Sequence, residues 1–313
     1  MSAIKINGIR VGHQMYHLRQ YPENKDSQQT AVLYQSLAKD EINLPCLGLE
    51  RTALGYTVSC CLEGEVPEGQ VSRPVCMISV YPHGSKLATL GFLLSLFGQH
   101  KIQFLYMVSS NAMVTFVVDQ EDKAAVLSML ETTFDLPPTH TPYEPGFHEE
   151  TAAFVKKRYQ ETRAYFQEER IKTYGFALEK ELPMTGIRCK AEQLEKVGKQ
   201  IGELGTSFYF ALAFGHEDSD TFDFYGLTDK DCASQEINFS GMESFRKQVD
   251  LVSFHGPHFG DRFGIFNAAA TCLDNAGLDL QLAGCTGASV GLVLPAGSGT
   301  PAIPALEKGF EKP

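Results

Sequence analysis

The sequence predicts an α+β fold of four similar units, each an antiparallel sheet with helices on one face. Three observations predict it. One order of elements (strand, helix, strand, short turn, strand) recurs four times along the 313 residues. Each well-defined helix carries a single apolar stripe. Each helix also ends on an apolar residue that is followed, five and seven positions later, by the inward residues of the next strand.

The first unit runs "IKINGIRVG", "TAVLYQSLAKDE", "INLPCLGLE", "GYTVSCCLE". The second has "VCMISVYP", "LATLGFLLSLFGQHK", "IQFLYMVSS", "AMVTFVVDQ". The third has "IKTYGFALE", "AEQLEKVGKQIGEL", "SFYFALAFG", "TFDFYGLTD", and the fourth "VDLVSFHG", "RFGIFNAAATCLDNAG", "LDLQLAG", "ASVGLVLP". Stripes at helical spacing are Leu90/Leu93/Leu94/Phe97, Leu194/Val197/Ile201/Leu204 and Ile265/Ala269/Cys272/Ala276. The shared columns are Leu37/Ile42/Leu44, Phe97/Ile102/Phe104, Ile201/Thr206/Phe208 and Leu273/Leu278/Leu280, in which only Thr206 is polar. That spacing closes a helix with a short loop and restarts at the period of two that buries alternate strand residues. "EDKAAVLSMLETTF" (121–134) and "GMESFRKQV" (241–249) read as second helices. The complete unit is then βαββαβ, a ferredoxin-like sandwich.

"LPPTHTPYEPGF" (136–147) concentrates prolines and stops regular structure, and "HEETAAFVKKRYQETRAYFQEER" (148–170) follows as one amphipathic helix through Phe154, Val155, Tyr159, Thr162 and Phe166. The expected organisation is unit one at 1–70, unit two at 71–136, linker and helix at 137–170, unit three at 171–249, unit four at 250–296, and a loosely held Pro/Gly-rich tail at 297–313.

A net charge of −11, with no basic run to offset it, disfavours nucleic acid and anionic membrane partners. No stretch approaches a membrane span, and the opening "MSAIKINGIRVGHQ" has no apolar leader segment. The eight cysteines sit mostly in apolar runs with no C-x-x-C spacing, which fits reduced core thiols in a cytoplasm. Adjacent Cys60 and Cys61 point to opposite faces of a strand, so they are poor joint ligands. No G-x-S-x-G, Gly-Lys-Ser/Thr loop or H-E-x-x-H occurs.

The stretch "HGPHFGDRFGI" (255–265) offers two chemistries. His255, His258 and Asp261 are a legitimate transition-metal set if they converge. Alternatively, Gly256-Pro257 and Gly260 form a tight turn that delivers a helix N-terminus to a ligand. Such a terminus presents free N–H groups and partial positive charge, which suits a carboxylate. Gly260 and Gly264 admit close approach, and Asp261 can cap the helix or hold an ammonium group.

"GDRFGIFNAAATCLDNAGLDL" resembles the signature of ACT domains, small ligand-sensing modules whose first turn commonly reads D-R-P-G-I. Asp261, Arg262, Gly264 and Ile265 match, and Phe263 stands where proline is usual. "GFLLSLFGQHKIQFLYMVSSNAMVTFVVD" (91–119) and "AGCTGASVGLVLPAG" (283–297) are similar to the tandem ACT region of aspartate kinases. Units one and three share only the topology. No stretch resembles the Lys-Phe-Gly-Gly opening of the kinase domain, so the resemblance implies a free-standing regulatory array rather than an enzyme. It implies an amino-acid effector bound at strand-to-helix turns and unit interfaces, no cofactor, and a regulated enzyme as partner. In the fourth unit the ligand-binding positions are Phe259, Gly260, Asp261, Arg262, Phe263 and Gly264. In the second, by resemblance, they are Lys86, Thr89, Phe92, Leu93, Phe104, Leu105, Ser110 and Asn111, with Leu105 where the kinases place an ammonium-holding aspartate. ACT-like units pair side by side, so one is expected with two and three with four, and open sheet edges imply a homodimer. Two other expectations stay open: a scaffold subunit that binds no ligand, and a metal-dependent enzyme using His255, His258 and Asp261.

Overall fold

The computed structural model describes residues 4, 6–21, 32–64, 66–67, 70–110, 112–134, 136, 170–231, 239, 241–257, 259–260, 262–287 and 289–312. The expected linker and helix at 137–170 lie outside these, apart from Arg170.

The recurrent order holds through four stretches. The first is β1 (Gly8–Gln20), α1 (Leu33–Lys39), β2 (Cys46–Thr52) and β3 (Gly55–Glu63). The second is β4 (Ser72–Tyr81), α2 (Leu87–His100), β5 (Tyr106–Ser109), β6 (Val114–Asp119) and α3 (Lys123–Thr133). After the short β7 (Ile171–Lys172) comes β8 (Phe176–Lys190), α4 (Leu194–Glu203), β9 (Phe208–His216) and β10 (Thr221–Thr228). The last is β11 (Glu243–Phe254), α5 (Ile265–Asn275), β12 (Leu282–Thr286) and β13 (Ser289–Pro295), then α6 (Gly299–Leu306) and β14 (Phe310–Glu311), which pairs with β7.

The helix-to-strand column has a specific cause. Ile42, Ile102 and Leu278 each donate their N–H to the carbonyl five residues back, on Leu37, Phe97 and Leu273, at 2.9–3.0 Å. Each is preceded by a left-handed residue, Glu41, Lys101 or Gly277. This is the hydrogen-bond pattern that closes a helix and brings the two apolar residues together. Gly205 takes the same left-handed conformation in the third stretch, but Thr206 is engaged elsewhere: its carbonyl accepts the Leu87 N–H at 3.0 Å.

The main strands form one closed barrel in the order β1-β3-β2-β12-β13-β11-β8-β10-β9-β5-β6-β4. The helices lie on two opposite outer sides. Leu33, Leu37, Phe266, Ala269 and Leu273 of α1 and α5, with Ala302 and Leu306 of α6, share a core on one wall. Leu90, Leu94 and Phe97 of α2, with Val126 of α3 and Val197 of α4, pack on the other. Between the walls lies a third core that includes Met15, Cys61, Tyr106, Phe210 and Phe214.

Three glycines let the walls meet. Gly48, Gly284 and Gly291 are register partners across β2, β12 and β13. A Cβ on Gly284 would stand 2.6 Å from Val108 and 2.8 Å from the Phe210 ring, and one on Gly48 would stand 2.9 Å from Leu212. The row is a trough into which β9 presses its bulky residues.

Several expectations are corrected. The full βαββαβ unit is not repeated four times; second helices follow only the second and fourth stretches among the described residues. Residues 243–249, expected as helix, begin β11. Met242, Phe245 and Val249 mimic helical spacing, but pairing with β8 along Glu243–Val249 outweighs it. The tail is held rather than loose. Asp250, nearly fully buried, accepts the N–H groups of Gly297 (3.0 Å), Gly299 (2.8 Å) and Glu181 (2.9 Å), which ties the start of α6 to the sheet. The expected edge pairs do form as β1–β4 and β8–β11, but β2–β12 and β5–β9 also join the first stretch to the fourth and the second to the third. Barrel closure leaves no open edge among these strands, so it removes the edge-based reason for a homodimer. No described helix is long and apolar enough to cross a membrane. The seven described cysteines are free, with Cys60 in a helix-side core and Cys61 inside the barrel.

Gly284→Val overpacks the trough and is expected to lower stability by about 1–3 kcal/mol. Urea denaturation measures this, and Phe210→Ala in the same chain is expected to recover part of the loss, because the two sites touch.

Candidate functional site

The turn into α5 is built by anchoring and freedom in alternation. Phe259 is buried edge-on against Phe254 at 5.8 Å, where it pins the loop and lines the cleft beside α1. Gly264 caps α5 in the left-handed conformation at φ 77°, where a side chain is strained, and its carbonyl accepts the Ala268 N–H at 2.9 Å. Across from it stands α1. A Cβ on Gly264 would lie 4.0 Å from Ala38, and Tyr34 packs edge-on against Phe266 at 4.9 Å. Asn43 donates from Nδ2 to the Gly260 carbonyl at 2.6 Å and latches the two stretches together. Asn43, Arg262, Gly264 and Asn267 line a cleft of about 20 Å³ between α1 and the α5 turn. That volume holds about one water and is too small for an amino acid as it stands. Arg262 reaches the Arg170 carbonyl at 3.2 Å, and Phe263 is half-buried. Asp261 and His258 lie outside the described residues. His255 is exposed beside Tyr174. Among the described residues no group of three His, Cys, Asp or Glu side chains is placed to hold a metal.

The set expected in the second stretch does not converge. Lys86 bridges Ser207, and the Phe208 N–H donates to Ser85 at 2.8 Å, so the N-terminus of α2 is closed by backbone from the third stretch. Leu93 and Phe104 are buried on the helix side of the sheet, whereas Leu105 is buried inside the barrel. Thr89 is buried, and Phe92 packs against Phe134 at 5.7 Å. The Ser110 carbonyl pairs with His83 Nε2 at 2.7 Å. Asn111 lies outside the described residues. His83 is buried; its Nδ1 accepts the Ser85 N–H at 2.8 Å, and burial holds its pKa below the usual value.

A polar group that sequence reasoning missed faces into the barrel. Asp223, only 4% exposed, accepts Arg188 Nε and Nη2 at 2.7 Å each and His216 Nε2 at 2.8 Å. Burial pushes its carboxyl pKa up, but the bonds from His216 and Arg188 outweigh this and leave it below the ordinary value. Nearby, the Tyr225 hydroxyl donates to Glu50, whose pKa is raised by burial. Tyr225 and Glu50 line a cleft of about 510 Å³ with Met184, Phe245, Lys247 and Pro295. These residues come from strands up to 245 positions apart, and the only local signal was Asp223 alternating with Phe222 and Phe224.

No family model matches the chain, and no curated protein matches its sequence. Solved structures do match. The chain superposes on an aspartate kinase from Synechocystis with a TM-score of 0.76 and 11% identity, covering 99% of this chain and 57% of that one. The fold is similar to that of an aspartate kinase. The chain thus spans little more than half the length of that relative. Regulatory subunits of aspartate kinase from Thermus flavus and Thermus thermophilus (ligand free form) match 45% and 44% of the chain at 17% and 16% identity, with TM-scores of 0.39 and 0.40 and 99% of each subunit covered. The first likeness corrects the expectation of a non-enzymatic chain, because this whole fold recurs within an enzyme.

Asp223→Asn tests the buried network. A depressed folded pKa means that the carboxylate's contribution is complete above the ordinary value of 3.8 and is lost as pH falls through the folded value. At neutral pH the variant is expected to lose about 1.5 kcal/mol, the low end for a charge-assisted bond, since Arg188 is half in water. The difference from wild type is expected to shrink below pH 3.8, read by denaturation at stepped pH.

Proposed function

We propose that the chain is an effector-binding regulatory part of a kinase-like protein, with a small molecule of the amino-acid class bound at the turn into α5. The observation that carries this is the seating of Gly264 at a helix N-terminus, across a narrow cleft from α1 and latched by Asn43–Gly260. The N–H groups of Ile265 and Phe266 begin α5, and they suit a carboxylate. Asp261 supplies the ammonium partner in this reading, and Arg262 and Phe263 flank it. Effector binding opens the latch and changes how the first and fourth stretches pack; that movement is the regulatory signal. The units are four ACT-type modules with the boundaries set out above, except that 297–313 belongs with the fourth. We rank the second set, around Lys86 and Ser110, behind the α5 turn, because backbone from the third stretch closes the N-terminus of α2. Reduced thiols fit a cytoplasmic setting.

A thermal-shift screen with the twenty amino acids tests this. At least one is expected to raise Tm with its concentration as ln(1 + [L]/Kd). Gly264→Val, which adds bulk and strain at φ 77°, is expected to melt lower on its own and to lose that rise. If every rise seen with the wild type persists undiminished in a folded Gly264→Val, or if no amino acid gives a rise at millimolar concentration, the α5 turn is refuted as a site.

A further inference from the structure

The barrel has a second cleft that the α5 turn does not use. It lies between β2 on one wall and β8, β10 and β11 on the other, and its volume is about 510 Å³. Cavities of this size hold small organic ligands.

Its lining is charged in a particular way. Glu50 and Lys247 both face the cleft and attract one another, yet no ion pair joins them among the described residues. The Glu50 carboxylate takes the Tyr225 hydroxyl and has lone pairs to spare. Burial raises its pKa, as expected of a carboxylate drawn out of water without a cation in contact. Partial burial likewise lowers the pKa of Lys247. The neighbouring Arg51 and Asp279 satisfy each other in an ion pair, so the two groups left over are one acid and one base. The lining also has apolar members. Met184 is buried there, and Phe245 is 46% exposed, its ring seated on Gly186, where any Cβ would collide with it. Lys247 Nζ stands 5.6 Å over the Phe245 ring, which remains partly exposed.

We infer that this cleft binds a small zwitterion with an apolar body, its ammonium group on Glu50, its carboxylate on Lys247, and its body against Met184 and Phe245. One molecule then completes both charges and covers the ring. The inference is independent of the α5 turn, because no residue of that turn lines this cleft.

The test is calorimetric titration of the full chain with L-leucine, L-methionine and L-phenylalanine. Each is run beside its amide, which keeps only the cation, and its deamino acid, which keeps only the anion. At least one zwitterion is expected to bind, with both single-charge analogues weaker by about tenfold or more, the loss of one charge-assisted bond. Glu50→Gln keeps an acceptor for Tyr225 and is expected to weaken binding by a similar factor, as is Lys247→Gln on the exposed side. Gly264→Val is expected to leave this binding intact. Equal affinity in Glu50→Gln and Lys247→Gln, equal affinity for the single-charge analogues, or no binding of all three at millimolar concentration overturns the inference. Binding lost in Gly264→Val but kept in Glu50→Gln overturns it as well, and assigns the ligand to the α5 turn.

Discussion

The fold depends on a trough of three glycines. Gly48, Gly284 and Gly291 lie side by side across β2, β12 and β13, and the missing side chains admit Phe210 and Leu212 from β9 on the facing wall. Glycine inside a strand costs roughly 0.5–1 kcal/mol in backbone entropy. Fully burying one large apolar side chain returns about 1.5–3 kcal/mol, so the exchange favours closure. Filled at that point, the two walls would stand apart, and the interior core would lose its contacts.

The two helix pairs outside the barrel are joined differently, and that difference singles out one turn. Between α2 and α4, Gly91 and Gly198 let the helix backbones touch, and a Cβ on Gly198 would lie 2.5 Å from the Ser95 nitrogen. The Lys86–Ser207 bridge then seals the N-terminus of α2 with backbone. Between α1 and α5 the join is a side-chain latch, Asn43 to Gly260, beside a narrow cleft. The α2 seal holds through several backbone bonds at once, Leu87 N–H to the Thr206 carbonyl and Phe208 N–H to the Ser85 carbonyl among them, whereas the α1–α5 latch is a single side-chain bond of about 0.5–1.5 kcal/mol. A pseudo-repeated chain thereby acquires one turn closed by backbone and one held by a side chain.

Inside the barrel, one polar network gathers around Asp223. Asp223 uses both carboxylate oxygens on Arg188 and His216, and Arg19 reaches the same histidine from β1 at 3.4 Å. The network links the first and third stretches across the interior, where apolar packing by itself has no directional preference. Glu50, which takes the Tyr225 hydroxyl, and Lys247, over the Phe245 ring, border the open cleft without an ion pair between them among the described residues.

The four-fold order of elements, the apolar stripes and the helix-closing loops were legible in the sequence, because each rests on interactions within about seven residues. Even Thr206, the lone misfit in the column, marked a real departure: its backbone seals α2. The glycines at the centres of "CLGLE", "LAGCT" and "SVGLV" were visible, but their alignment into one trough was not, since register between strands is a tertiary property. Local spacing also misread two segments. Residues 243–249 look helical until β8 pairs with them, and the proline-rich end looks loose until Asp250 holds it. The sequence by itself determined which residues turn, which bury and where helices stop, because short-range sterics and periodicity decide those. Only the tertiary structure decided that the sheet closes, that α2 is sealed while α5 is latched, and that Glu50 meets Lys247 across one cleft, because each of these joins residues far apart in the chain.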